Sequence, residues 1–186
     1  MISTKDFSTY HRQGVVIHSV DSKDAALFPE MIDGQYVILH RIWIAYSQDL
    51  ENWYDHRILL KTRKNSWDSG KIGAGSPPIK TEHGWLLFYH GTDHQNIYRL
   101  GIILLDLDDP TKVLYRSEEP VLEPEKPYEK EGLVPNVVFT CGVVEKDDKF
   151  FVYYGAADRC IGVATIERER LFYEIAKRMH GEMVHG

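Results

Sequence analysis

The sequence predicts an all-β chain built from repeated blade-like units and ending in one helix. A seven-residue turn motif occurs twice, about 40 residues apart, which is the spacing of propeller blades or solenoid repeats. Three pairs of short apolar runs follow at comparable intervals, each flanked by Gly, Pro, Asn or Asp. Aromatic residues make up 12% of the chain, with 11 Tyr and 4 Trp, a composition that suits sheet cores and also the stacking walls of carbohydrate sites.

The turn motif is Thr4-Lys5-Asp6-Phe7-Ser8-Thr9-Tyr10, repeated as Ser47-Gln48-Asp49-Leu50-Glu51-Asn52-Trp53. Its hydroxyl and carboxylate close a turn on the backbone while the aromatic ring pins that turn to the core. The first strand pair spans 35–40 and 42–46, with a very short connection at His40-Arg41. The second spans 85–90 and 98–105, and the third 150–154 and 161–166. Apolar segments at 25–28, 77–79 and 137–144 precede the three pairs, so each unit offers three or four strands, as a blade does. Residues 106–110 form a turn, and 118–131 read as an acidic, solvated connector that includes Glu123, Glu125 and Glu129. Residues 167–179 carry Leu171, Ile175 and Met179 at fourfold spacing beside charged residues, which predicts an amphipathic helix.

The totals bound the function. With 186 residues, 43% of them hydrophobic, the chain suffices for one domain with a core. A net charge of -6 argues against nucleic acid as a partner. The apolar runs are strand-sized and predict no membrane span. The N-terminal residues lack the apolar core of a signal peptide, so a cytoplasmic location is expected. Cys141 and Cys160 have no metal-binding or redox spacing.

Residues 71–93, KIGAGSPPIKTEHGWLLFYHGTD, hold the clearest chemical signal. Lys71 and His90 stand among turn-forming Gly and Pro at the ends of a buried strand, where an anion such as phosphate could be held. The alternative is a hairpin with a solvent-facing lysine and a hydrogen-bonded histidine. Trp43, Trp53, Trp67 and Trp85 are expected in blade cores.

The stretches SKDAALFPEMIDGQYVILHR, IWIAYSQDLENW, KIGAGSPPIKTEHGWLLFYHG, LGIILLDLDDPTKVLYR, YEKEGLVPNVVFTCG and VYYGAAD resemble, in order, the β-1,4-mannoside phosphorylases of glycoside hydrolase family 130, which are five-bladed β-propellers. The resemblance implies a partial five-bladed β-propeller of about three blades, with a helical tail at 167–180. It covers the C-terminal part of the family's length, and the start, ISTKDF, resembles a blade strand running into its turn, as if the reading frame opened inside a propeller. It departs from the family at His40-Arg41-Ile42-Trp43, where relatives have a longer loop. It implies Arg41, Lys71 and His90 as phosphate ligands and Asp24, Tyr98, Pro135, Asn136, Phe139 and Asp158 as substrate-binding residues. No residue matches the family's general acid, so no catalytic residue is assigned to this chain.

Such an enzyme is inverting: an acid protonates the departing sugar oxygen, and inorganic phosphate, the co-substrate, attacks in place of activated water, so no second carboxylate is needed. No other cofactor and no metal are implied. The expected partners are a β-mannoside oligosaccharide, phosphate, and further copies of the chain through exposed blade edges. The alternative is a non-catalytic carbohydrate- or phosphate-binding remnant, or an inert truncated product.

Overall fold

The computed structural model of the protein describes residues 1–18 and 20–182. In chain order its strands are β1 (Ile2–Ser3), β2 (His11–Arg12), β3 (Ala26–Leu27), β4 (Tyr36–His40), β5 (Trp43–Ser47), β6 (Tyr54–Ile58) and β7 (Lys71–Ala74). They continue with β8 (Ile79–Thr81), β9 (Gly84–Thr92), β10 (Tyr98–Leu105), β11 (Val113–Arg116), β12 (Val138–Lys146), β13 (Lys149–Ala156) and β14 (Cys160–Glu167). A short α1 (Pro127–Lys130) precedes β12, and α2 (Arg168–Glu182) closes the described chain.

The strands form antiparallel meanders. The first blade is β3-β4-β5-β6, the second β7-β9-β10-β11 with β8 also on β9, and the third β12-β13-β14. The ribbon β1-β2 stands as its own two-stranded sheet. This is the all-β partial five-bladed propeller of about three blades, with a C-terminal helix, that the sequence predicts. In the second blade, Ser76-Pro77-Pro78 interrupts one edge partner of β9, because proline donates no ladder hydrogen bond. The edge is therefore shared between β7 and β8.

Every residue of β9 is buried. Side chains alternate across a strand, and β9 uses both faces. Leu86 and Phe88, with Leu100, Ile102 and Leu104 of β10, pack on Val138, Phe150 and Val152 of the third blade and on Leu171, Phe172 and Ile175 of α2. Trp85, Leu87 and Tyr89, with Ile103 and Leu105, pack on Val37, Leu39 and Ile44 of the first blade. Stacked blades thus turn one strand into an uninterrupted apolar run. Of the four tryptophans expected in cores, Trp53 and Trp85 are buried, while Trp43 and Trp67 are partly so.

The repeated turn motif builds one structure twice. Thr4 Oγ1 accepts the Phe7 N–H at 2.9 Å, and Asp6 Oδ1 accepts those of Ser8 and Thr9, both at 2.8 Å. Ser47 Oγ accepts the Leu50 N–H at 2.9 Å, and Asp49 Oδ1 accepts those of Glu51 and Asn52 at 2.9 and 2.8 Å. Phe7 and Leu50 both take a positive φ, and the ring hydroxyl or indole N–H of Tyr10 and Trp53 donates to their carbonyls. The backbone bonds hold Asp6 well below its ordinary pKa, at about 2.

Two charged groups depart from the sequence reading. Glu129, expected in a solvated connector, is 3% exposed. Asp68, not singled out in the sequence, is fully buried and accepts from Arg63 Nε at 3.0 Å, from the Tyr89 hydroxyl at 2.9 Å and from the Arg116 guanidinium. Burial pushes its carboxyl up, but Arg63 and Arg116 outweigh burial and leave it below its ordinary value. Arg63 Nη2 also donates to the Ser117 carbonyl, and Arg116 Nη1 to that of Lys61. The network ties the long β6–β7 connection to β9 and β11. No described helix is long and apolar enough to cross a membrane.

Removing one member of a buried ionic network strands the others. Asp68→Ala is expected to lower stability by about 3–5 kcal/mol, read as a large drop in the urea midpoint. Asp6→Ala, in the exposed copy of the turn, is expected to leave that midpoint nearly unchanged.

Candidate functional site

The candidate residues gather where β7 and β9 meet the turns of the neighbouring blades. Lys71 stands opposite Thr92 and Gly73 opposite His90, so all four side-chain positions lie on one face of the sheet. The first blade's hairpin turn, Arg41-Ile42, is locked onto β7: the Ala74 N–H donates to the Arg41 carbonyl at 2.8 Å. The Arg41 N–H in turn donates to the Lys23 carbonyl at 2.7 Å. This two-residue turn is the shortened junction seen in the sequence, and it places Arg41 at a φ of 53°, where such hairpins favour glycine. The guanidinium donates to Asp21 Oδ2 at 2.5 Å. Arg41, Lys71 and Lys61 line one open cleft of about 390 Å³ together with Thr62 and Gly70.

His90 lies apart from that cleft's walls, in a more enclosed setting. It is 4% exposed; its Nε2 is 3.6 Å from Asp24 Oδ2 and its ring centroid 4.4 Å from that of Phe139. Tyr98 stands 6.1 Å away and 6.0 Å from Phe139, so two aromatic rings flank the imidazole. Burial pushes the imidazole down to about 4; the Asp24 carboxylate opposes this and Lys23 reinforces it. Desolvation thus favours the uncharged ring near neutral pH. Gly73 is required here, because a Cβ would fall 2.4 Å from His90 Cε1 and 2.6 Å from Asp24 Oδ2.

The remaining candidates are joined through the backbone. The Tyr98 N–H donates to the Asn136 carbonyl at 3.0 Å, which sets the segment 135–137 beside the start of β10. Asp158 is exposed in the turn between β13 and β14. That turn is held by Ala157, whose N–H donates to the Val137 carbonyl at 3.0 Å and whose carbonyl accepts from Val134 at 3.3 Å. Pro135 is exposed and Asn136 partly buried. Asp24, Arg41, Asn136 and Asp158 all have positive φ, between 52° and 59°, an unfavourable backbone state that clusters at binding sites.

The structure therefore brings Asp24, His90, Tyr98 and Phe139 into one aromatic-walled group, and Arg41 and Lys71 onto one cationic cleft beside it. Asn136 and Asp158 are tethered to the first group by main-chain bonds. Lys61, exposed on the same cleft, was not singled out in the sequence; it sits in the run Lys61-Thr62-Arg63-Lys64, whose even spread of charge gives no sign of which side chain faces the cleft.

A family model described as β-1,4-mannooligosaccharide phosphorylase, Glyco_hydro_130, matches residues 1–177. A 1,2-β-oligomannan phosphorylase of Thermoanaerobacter sp. (strain X514) is 55% identical over 171 residues, covering 90% of this chain and 57% of that protein. A β-1,2-mannobiose phosphorylase of the same organism is 54% identical, covering 92% and 58%. A solved β-1,2-mannobiose phosphorylase from Listeria innocua, in complex with β-1,2-mannobiose, superposes with a TM-score of 0.90 at 42% identity. The match covers 94% of this chain and 52% of that one. The chain thus spans a little over half the length of these relatives. All three relatives are named for β-1,2 linkages, whereas the sequence resemblance implied β-1,4. The chain belongs to glycoside hydrolase family 130, the mannoside phosphorylase family.

Proposed function

We propose that this chain carries the phosphate site and part of the sugar site of an inverting mannoside phosphorylase acting on β-1,2-linked mannosides. The β-1,2 linkage replaces the β-1,4 linkage of the sequence reading, on the strength of the relatives' specificities. The observation that carries the reading is the juxtaposition across β7 and β9 of a cationic cleft and an aromatic-walled carboxylate. Phosphate in the cleft meets Arg41, Lys71 and Lys61; His90, which the resemblance implied as the third phosphate ligand, is not among the cleft's lining and is assigned to the sugar side. Its oxygen attacks the anomeric carbon as the glycosidic C–O bond breaks, giving α-mannose 1-phosphate. The departing sugar oxygen takes a proton from a general acid supplied by the part of the enzyme outside this stretch. His90, uncharged, serves as a hydrogen-bond donor and Asp24 as an acceptor for hydroxyls, with Tyr98 and Phe139 offering faces for the pyranose ring. Asn136 and Asp158 bind further hydroxyls, and Pro135 shapes the rim.

Several cations on one anion matter because Lys61 and Lys71 are exposed, and one exposed charge pair contributes only about 0.2–1 kcal/mol. Lys71→Ala is therefore expected to weaken phosphate binding about two- to fivefold in calorimetric titration, while Lys64→Ala leaves it unchanged. Equal affinity in wild type and Lys71→Ala would remove the anion site. Phosphate binding accompanied by no turnover of β-1,2-mannobiose fits this chain used alone, and also the non-catalytic binding reading. Turnover restored on adding the missing part of the propeller separates the two.

The pH dependence follows from His90. Its value of about 4 lies far below the ordinary 6.5, so raising the pH from 6 to 8 removes no proton from it. Phosphate affinity is expected to hold or rise over that range as phosphate takes its second charge. A fall centred near 6.5 would show that a charged imidazole is a ligand.

Association is proposed as well. Val144, Tyr153, Ile161 and Val163 share the open face of the third blade and are 46–83% exposed. Sedimentation at micromolar concentration should show species larger than a monomer, reduced by the double variant Ile161→Lys, Val163→Lys. A wild type that stays monomeric would count against the open face as a contact.

A further inference from the structure

We propose that Glu129, clasped by Tyr154, is the positioning residue that fixes Tyr98, Asn136 and Asp158 relative to one another; this rests on the sugar-site reading above. The carboxylate uses both oxygens. Oε2 accepts the backbone N–H groups of Glu125 and Lys126, each at 2.7 Å, and Oε1 accepts the Tyr154 hydroxyl at 2.7 Å. It is thus a bridge between the start of α1 and the middle of β13.

From Glu129 the main chain runs to Tyr98, Asn136 and the residue before Asp158 within a few bonds. Its carbonyl accepts the Val137 N–H at 3.0 Å, and that of Lys130 accepts Asn136 at 3.4 Å. The Asn136 carbonyl holds Tyr98, and the Val137 carbonyl holds Ala157, the residue before Asp158. The segment is clamped tightly enough that Gly132 admits no side chain, since a Cβ would lie 2.1 Å from the Ala157 carbonyl oxygen. Burial pushes the Glu129 carboxyl up, but the two backbone N–H groups and the Tyr154 hydroxyl outweigh it, so the group stays ionised and its three donors stay bound. A buried carboxylate with three donors is costly to replace by an apolar group, because each donor would be left unpaired.

The arrangement separates the two halves of the site. Tyr98, Asn136 and Asp158 hang from Glu129, whereas the cationic cleft is built on β7, the Arg41 turn and the Asp68 network. Loss of Glu129 should therefore loosen the first without touching the second.

The test uses the full chain and compares wild type, Glu129→Ala, Glu129→Gln and Tyr154→Phe. Glutamine keeps one acceptor for the backbone donors and can donate to the tyrosine oxygen, so it is the conservative rescue. The expected result is that Glu129→Ala weakens β-1,2-mannobiose binding about tenfold, with inorganic phosphate binding unchanged. Amide hydrogen exchange rises at Tyr98, Asn136 and Ala157 but not in β7. Glu129→Gln restores most of both. Two results overturn the proposal: faster exchange with unaltered mannobiose affinity, or a parallel fall in mannobiose and phosphate affinity together with the melting midpoint. If Glu129→Ala does not fold, Tyr154→Phe carries the same comparison with the two backbone donors still satisfied. If wild type binds phosphate but not mannobiose, the sugar-site reading fails. The exchange arm then still decides whether Glu129 holds the segment, and unchanged exchange at Tyr98 and Ala157 overturns it.

Discussion

The burial of β9 on both faces is the constraint on which the other elements depend. A strand buried on one side can leave polar residues on the other, but nine consecutive buried residues need a covering layer on each side. The first blade supplies one layer and the third blade, with α2, the other. Toward the end of β9 the buried side chains between the layers become polar. His90 and Thr92 come there, opposite Gly73 and Lys71. The candidate site is thus a product of blade stacking: the first and third blades cover β9 from either side, and their turns meet at its end.

Much of this was legible in the sequence wherever the signal was local. The repeated turn carries its own hydrogen-bond donors and acceptors within seven residues, and the β9 and β13 runs are apolar enough to read as strands. The short strands β7 and β11 were not legible. Lys71–Ala74 has no alternation of its own and is a strand only because β9 pairs with it. The same reason hid Asp68 and Glu129. Acidic side chains in polar connectors are ordinarily solvated, and nothing near Asp68 in the chain announces Arg116, 48 positions away. The burial of His90 was not legible either, because it depends on Phe139 and Tyr98 arriving from other strands.

The site also shows how one fold combines rigidity with close approach. Asp24, Arg41, Asn136 and Asp158 sit in a backbone state that most residues avoid. For Asp and Asn the penalty is small; for Arg41, with its long side chain, it is a real local strain. Arg41 and Asn136 are pinned by main-chain bonds of their own, and Asp24 and Asp158 each follow a residue, Lys23 and Ala157, that is so bonded. The strain is borne by the blades, and the side chains emerge at angles that an extended backbone would not give.

The two copies of the turn differ in one respect. Around Trp53 the turn is packed against a core, whereas Phe7 and Tyr10 are 83% and 58% exposed. The hydrogen bonds are nevertheless the same in both copies. The turn's hydrogen bonds are closed within seven residues, so its shape is set locally, and packing against a core adds stability to a form already specified.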